Sequence, residues 1–144
     1  MRMNSYTIRD LYVGQKYAVQ DTITKEVVEA FAQVTGDHNP IHLDPEYAAK
    51  TKFGKNISHG MILAGFISKV LGQYLPGEGA VYASQTINFR APVFFDGAGE
   101  TITTEVEVKE IIAERNRVIC KTTCRNSAGE VVADGEALML PRKA

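Results

Sequence analysis

The sequence is poor in cysteine: only two of its 144 residues are of this type. Cys120 and Cys124 fall in one strand-like segment, where four positions separate them by roughly 13 Å. A disulfide needs Cα atoms about 4.4–6.8 Å apart, so this pair does not form one. No second Cys or His pair lies nearby to complete a zinc site. We interpret both as small apolar residues on one strand face, in a reducing cytoplasm.

The sequence also lacks a surplus of charge of either sign. Sixteen Lys and Arg residues face 17 Asp and Glu residues, which gives a formal net charge of −1. Proteins that bind nucleic acid or anionic membrane surfaces usually carry a basic patch or tail. There is no basic arm and no helix-turn-helix pattern. We therefore expect neither nucleic acid nor a membrane as a partner.

Long hydrophobic runs are missing as well. Residues 1–20 are polar and charged throughout and contain no apolar core of a signal peptide. The longest apolar run, residues 61–75, is interrupted by Lys69 and Gln73. A membrane-spanning helix needs roughly 20 apolar residues, so this run is too short. Repeats, low-complexity tracts and linkers are also lacking, and we predict one domain over residues 1–144.

The front half of the chain has helical patterns. Thr24 is a suitable N-cap for a first helix, and Gly36 is a suitable C-terminal stop. Asp44 and Pro45 predict the cap and first position of a short second helix that ends near residue 50. A third helix is predicted over residues 61–74. It is apolar on nearly every face, which is typical of a buried helix.

The back half has the alternating pattern of strands. Residues 102, 104, 106 and 108 are Ile, Thr, Val and Val, while charged residues and Thr103 occupy the opposite face. The breaks at Asp96-Gly97, at 114–116 and at 126–129 predict antiparallel connections. The predicted strands cover residues 81–90, 100–110, 117–125 and 131–140, with an early one near 15–20. We predict an α+β fold in which an antiparallel sheet wraps around the central buried helix.

Between the first two helices lies the segment with the clearest chemical content, Gly-Asp-His-Asn-Pro-Ile-His at residues 36–42. Asp37 and His42 flank Asn39-Pro40, a dipeptide that turns and stiffens the chain. A carboxylate and an imidazole on one turn can converge on a single water molecule, as proton transfer requires. Two simpler readings stay open. Asp37 alone can serve an Asx-turn, and His42 can be a packed, hydrogen-bonded histidine.

These residues carry a family resemblance. Residues 31–48, FAQVTGDHNPIHLDPEYA, resemble the signature of the MaoC-like (R)-specific enoyl-CoA hydratases, and ISHGMILA at 57–64 resembles the entry to that family's central helix. The resemblance implies the hotdog fold and the hydration of trans-2-enoyl-CoA to (R)-3-hydroxyacyl-CoA by syn addition. Asp37 and His42 would activate the water. The resemblance implies no metal or redox cofactor. Coenzyme A would enter as part of the substrate.

Three further residues are candidates for the site. Gly60 begins the central helix, where free N–H groups and the helix dipole can stabilise a thioester oxygen; alternatively, it only relieves crowding between helix and sheet. Asn39 is a candidate for substrate binding, although we expect it mainly to orient its neighbours. Ser68 matches a polar position of the family's central helix; it either lines the acyl tunnel or bonds a carbonyl one turn back. We expect His38 to point to solvent and His59 at most to support its loop, and we assign neither a chemical role.

Other activities and assemblies are compatible with the sequence. Hotdog thioesterases and non-catalytic acyl-CoA-binding modules are the alternatives to a hydratase. Acyl-carrier-protein dehydratases of this fold typically place an acid on the central helix. Residues 60–75 contain no Asp or Glu, which argues against this activity. A single curled sheet leaves strand edges open, so we predict a homodimer that pairs edge to edge, or a higher homo-oligomer. The expected substrate is an acyl-CoA thioester.

Overall fold

Five antiparallel strands form one sheet that packs against a central helix. The computed structural model describes all of residues 1–144. The strand order in the sheet is β1-β3-β4-β5-β2. The elements in chain order are β1 (Lys16–Ile23), α1 (Lys25–Thr35), α2 (Pro40–Leu43), α3 (Pro45–Ala49), α4 (Gly60–Gln73), β2 (Val81–Phe89), β3 (Glu100–Ile112), β4 (Arg117–Arg125) and β5 (Val131–Leu140). The predicted α+β hotdog arrangement is confirmed, including the early strand.

The central helix α4 buries one face against β1, β2, β3 and β4. The residues of that face are buried: Ile62, Leu63, Ile67, Val70 and Leu71. The opposite stripe of Met61, Gly65 and Ser68 is exposed, and Met61 is 55% exposed. The prediction of a buried helix therefore holds for one face only, because a single sheet covers only one side. None of the helices combines the length and the hydrophobicity that a membrane span requires.

The inner face of the sheet follows the predicted alternation. Ile102, Thr104, Val106 and Val108 of β3 are each 0% exposed. Both cysteines of β4 are free and fully buried on this face, as their spacing predicted. Burial raises the pKa of Cys120 to about 12 and that of Cys124 to about 11, so both remain thiols at neutral pH. They are part of the core.

The connection from β2 to β3 differs from the prediction. The chain turns directly from β3 to β4 and from β4 to β5, but β2 pairs with β5 at the far edge of the sheet. Asp96-Gly97 is therefore not a tight antiparallel connection. The segment between β2 and β3 instead crosses the sheet end and contacts the start of α4, where the Ser58 N–H donates to the Val93 carbonyl oxygen at 2.9 Å. This contact fixes the backbone beside the candidate site.

Candidate active site

Asp37 lies in the short gap between α1 and α2, and backbone caps on both sides hold it. Gly36 ends α1 in the left-handed conformation, with φ of 79°, which glycine adopts without strain. The Asp37 N–H donates to Thr35 Oγ1 at 3.2 Å, and Asp37 Oδ1 accepts from the Asn39 N–H at 3.3 Å. The Asx-turn anticipated for Asp37 is thus present. It uses one carboxylate oxygen of an exposed side chain and leaves the other for chemistry.

His42 is presented by α2, a single helical turn where the sequence predicted only a turn. Asn39 caps this helix, since its Oδ1 accepts from the Ile41 N–H at 3.2 Å, and Pro40 occupies the first position. His42 Nδ1 lies 2.7 Å from the Ile57 carbonyl oxygen. A carbonyl oxygen only accepts, so Nδ1 carries the proton and donates it. In the neutral ring the lone pair is therefore on Nε2, the atom available as a base.

A third side chain, His59, completes the cluster. It is 2% exposed, and its Nε2–H donates to the Asp37 main-chain carbonyl oxygen at 3.0 Å. Its ring centroid lies 3.9 Å from that of His42, with 32° between the ring planes. One N or O atom from each of Asp37, His42 and His59 lies within 4.8 Å of the others. His59 lies in the ISHGMILA segment at residues 57–64, where the sequence predicted at most support of the loop and no place in the catalytic cluster.

The environment of His59 keeps its ring neutral. Desolvation is the largest influence and lowers the pKa below the ordinary value of 6.5, while the hydrogen bond to the Asp37 backbone opposes this and His42 adds to it. Its Nδ1 is buried and has no hydrogen-bond partner. A buried orphan acceptor destabilises a fold by about 1–3 kcal/mol. The unpaired Nδ1 of His59 therefore lowers the stability of the fold, and stability alone does not explain a histidine at this position.

The three side chains are of types that can hold a metal ion. Each histidine already uses one ring nitrogen, since His42 Nδ1 and His59 Nε2 donate to main-chain carbonyl oxygens. The two rings are tilted by 32°, with their centroids 3.9 Å apart.

Gly60 is the first residue of α4, directly after His59. A Cβ atom built on Gly60 would lie 2.8–3.0 Å from the Phe89 ring. The crowding predicted as the alternative role of Gly60 is therefore real. Phe89 is 51% exposed and can move, so crowding alone does not demand glycine. The N-terminal amide at this position remains suitable for an oxyanion.

Two clefts are lined in part by histidines of this cluster. One of about 790 Å³ is lined by His42, His38, Lys25 and Lys55 among others. The second, of about 370 Å³, is lined by His59, Gly60, Met61 and Phe89 among others. His42 thus lines the first cleft and Gly60 the second, whereas Asp37 lines neither.

The structure places the two predicted substrate-binding residues differently. Asn39 is exposed beside Asp37, and its capping bonds support the orienting role that the sequence favoured. Ser68 lies on the exposed stripe of α4, two helical turns beyond Gly60, and it lines neither cleft of the single chain. Both roles in substrate binding stay predictions.

Comparison with known proteins gives consistent matches. Residues 12–131 match the MaoC like domain. A 3-hydroxybutyryl-CoA dehydratase of Methylorubrum extorquens is 50% identical over 135 residues, which cover 93% of this chain and 83% of that protein. An (R)-specific enoyl-CoA hydratase of Aeromonas caviae is 39% identical over 131 residues, 91% of this chain and 96% of that one. The structure of an R-hydratase from Pseudomonas aeruginosa superposes with a TM-score of 0.87 at 38% identity, covering 97% and 88% of the two chains.

Proposed function

Because this chain belongs to the MaoC-like domain family, we propose that it is a lyase that catalyses the reversible hydration of trans-2-enoyl-CoA to (R)-3-hydroxyacyl-CoA. The observation that carries this function is the pairing of the exposed Asp37 carboxylate with a His42 ring whose Nε2 is free. The named activities of the relatives support the same reaction and the same class of substrate.

The proposed chemistry uses the pair as one proton-transfer unit. A water molecule bound between Asp37 and His42 loses a proton to the pair as its oxygen attacks C3 of the enoyl group. The pair then returns a proton to C2 on the same face, so that one water is added and the addition is syn. We assign the two transfers to the pair as a unit and not to either residue alone.

The thioester oxygen becomes negative while the water adds. We place this oxygen at the Gly60 N–H, where the positive end of α4 and an unpaired amide donor coincide. Asn39 and Ser68 are proposed to contact the substrate. No cofactor is needed, since addition of water to this double bond requires proton transfers only and coenzyme A enters with the substrate.

A homodimer accounts for the apolar surface that the single chain leaves open. Met61 on α4 is 55% exposed, and Val81 and Phe89 on the edge strand β2 are 59% and 51% exposed. Strand β2 has a partner on one side only, because it ends the sheet. Pairing of β2 with β2 of a second copy would satisfy that edge and cover the apolar residues. The two free, buried thiols support a reducing cytoplasm.

The function is tested by incubating the protein with crotonyl-CoA and octenoyl-CoA and analysing the product on a chiral phase. The expected product is the (R)-3-hydroxyacyl-CoA from at least one of the two substrates, with no free thiol released. Release of coenzyme A would identify a thioesterase instead. Recovery of both substrates unchanged would contradict the hydratase assignment.

A further inference from the structure

We propose that His59 is a positioning residue that holds Asp37 and His42 in their working arrangement. The inference rests on the function proposed above and adds a residue that neither the motif at residues 36–42 nor the chemistry requires. His59 is the one side chain of the cluster that contacts both members of the pair. It donates to the Asp37 main chain at 3.0 Å, and its ring packs against that of His42 at 3.9 Å between centroids, tilted by 32°.

The first contact restrains the backbone of Asp37. This residue lies in an exposed gap between two helices, and its own main-chain and side-chain bonds reach only Thr35 and Asn39, two residues away on either side. Such local bonds shape the turn but do not attach it to the rest of the fold. The bond from His59 joins the Asp37 carbonyl to the start of α4, 22 positions along the chain. It is the tertiary link that fixes the carboxylate relative to the helix.

The second contact restrains the ring of His42. The hydrogen bond from Nδ1 to the Ile57 carbonyl fixes one edge of that ring but still permits it to rock about the bond. The face of His59 lies against it and limits this motion. His59 itself is held on another side by Phe31 of α1, with 4.7 Å between ring centroids. Full burial of His59 makes it a rigid support rather than a mobile one.

His59 is also joined covalently to Gly60, the next residue in the chain. A bond from His59 to Asp37 therefore sets the distance between the water-activating pair and the amide proposed for the oxyanion. His59 supports the pair as a neutral ring, because desolvation by burial lowers its pKa. The unpartnered Nδ1 shows that only the Nε2 side of the ring is used for hydrogen bonding.

Two substitutions separate positioning from packing. His59→Leu keeps the buried volume and removes the donor and the aromatic face. His59→Gln keeps an N–H donor near the position of Nε2. We expect kcat for crotonyl-CoA to fall about 10- to 100-fold in the Leu variant with KM within about twofold, since small displacements of catalytic groups cost this much. The Gln variant should recover a clear part of that loss.

A control is needed for the effect of destabilisation. Ile67→Val weakens the same helix at a fully buried position two turns from His59, and it should lower the melting temperature and leave kcat unchanged. A folded His59→Leu protein with kcat within twofold of the wild type would overturn the proposal. Equal losses in the Leu and Gln variants would overturn the role of the hydrogen bond.

The positioning role of His59 can also be measured without turnover, so that its failure is distinguishable from a failure of the proposed function. The ring resonances of His42, followed by NMR, should shift and broaden in His59→Leu and remain in place in Ile67→Val. Unchanged His42 resonances in His59→Leu would contradict positioning whether or not the wild type hydrates crotonyl-CoA. A wild type that forms no 3-hydroxyacyl product contradicts the proposed function alone, and the NMR result then decides on His59.

Discussion

The side chain of His42 is prepared for proton transfer by one main-chain contact. The Ile57 carbonyl accepts from Nδ1 at 2.7 Å and thereby leaves the Nε2 lone pair free. Asp37 is held in a different way, through an Asx-turn that uses one of its two oxygens. Each residue can therefore serve both its structural role and its proposed chemical role, because the structural hydrogen bonds leave the reactive atoms unoccupied.

Gly60 permits a test that separates its two roles. Gly60→Val would place new carbons against Phe89 and also displace an oxygen bound at the Gly60 amide. We expect turnover of crotonyl-CoA to fall on the order of 10²–10³-fold, the usual cost of losing one such donor. Adding Phe89→Leu makes room for the new side chain. Turnover that stays low in the double variant supports the oxyanion role, whereas recovery to the level of Phe89→Leu alone would show that glycine only relieves crowding.

The neutral state of His59 predicts how stability depends on pH. Its pKa in the folded protein is below the ordinary value of 6.5. On acidification, His59 is therefore protonated in the unfolded state before it is protonated in the folded state. The contribution of neutral His59 to the free energy of unfolding is fully present above about pH 6.5 and decreases below it. We expect the melting temperature to fall between pH 7 and pH 5.5 more steeply in the wild type than in His59→Gln. Parallel pH profiles of the two proteins would show that His59 is not held neutral.

Helix caps determine where the reactive segment begins and ends. Thr24 starts α1, with its Oγ1 accepting from the Val27 N–H at 3.2 Å, and Gly36 ends it one residue before Asp37. Asn39 and Asp44 then cap α2 and α3. Four capping residues thus fix the short segment that carries the pair.

The first of these caps gives a measurable prediction. Thr24→Ala removes the oxygen that satisfies the Val27 N–H, and such losses cost about 1 kcal/mol. For a domain of this size the melting temperature should fall by about 2–4 °C. Thr24→Ser keeps the oxygen and should melt close to the wild type. An Ala variant as stable as the Ser variant would show that the cap contributes nothing.

Sequence patterns predicted the elements whose signals are local. The alternation at residues 102–108, the cap at Thr24 and the cap at Asp44 each depend on neighbours along the chain, and all three are confirmed. The four-residue helix α2 has too few residues to show a period and was predicted as a turn. The pairing of β2 with β5 and the contact of His59 with Asp37 join distant segments, so no local pattern encodes them.

Three exposed apolar residues, Met61, Val81 and Phe89, lie on α4 and on the edge strand β2. A test of the proposed homodimer is Val81→Asp, which places a charge on the open edge strand at a residue that is 59% exposed. We expect this variant to sediment as a monomer or to dissociate at lower concentration than the wild type. Val34→Asp, on α1 and 85% exposed, should leave the assembly unchanged. A wild type that is monomeric at micromolar concentration with full activity would contradict the dimer.

The proposed mechanism requires Asp37 and His42 to act on one water molecule. Asp37→Asn keeps the shape of the side chain and removes its charge, and His42→Gln keeps a polar side chain and removes the base. The decisive measurement is the turnover of crotonyl-CoA by the two single variants and by the double variant, each shown to be folded by its melting curve. We predict that each single change abolishes most of the hydration and that the double variant is little worse than either, because members of one catalytic unit are strongly non-additive. Near-wild-type turnover in either folded single variant would contradict the mechanism and leave residues 36–42 with a structural role alone.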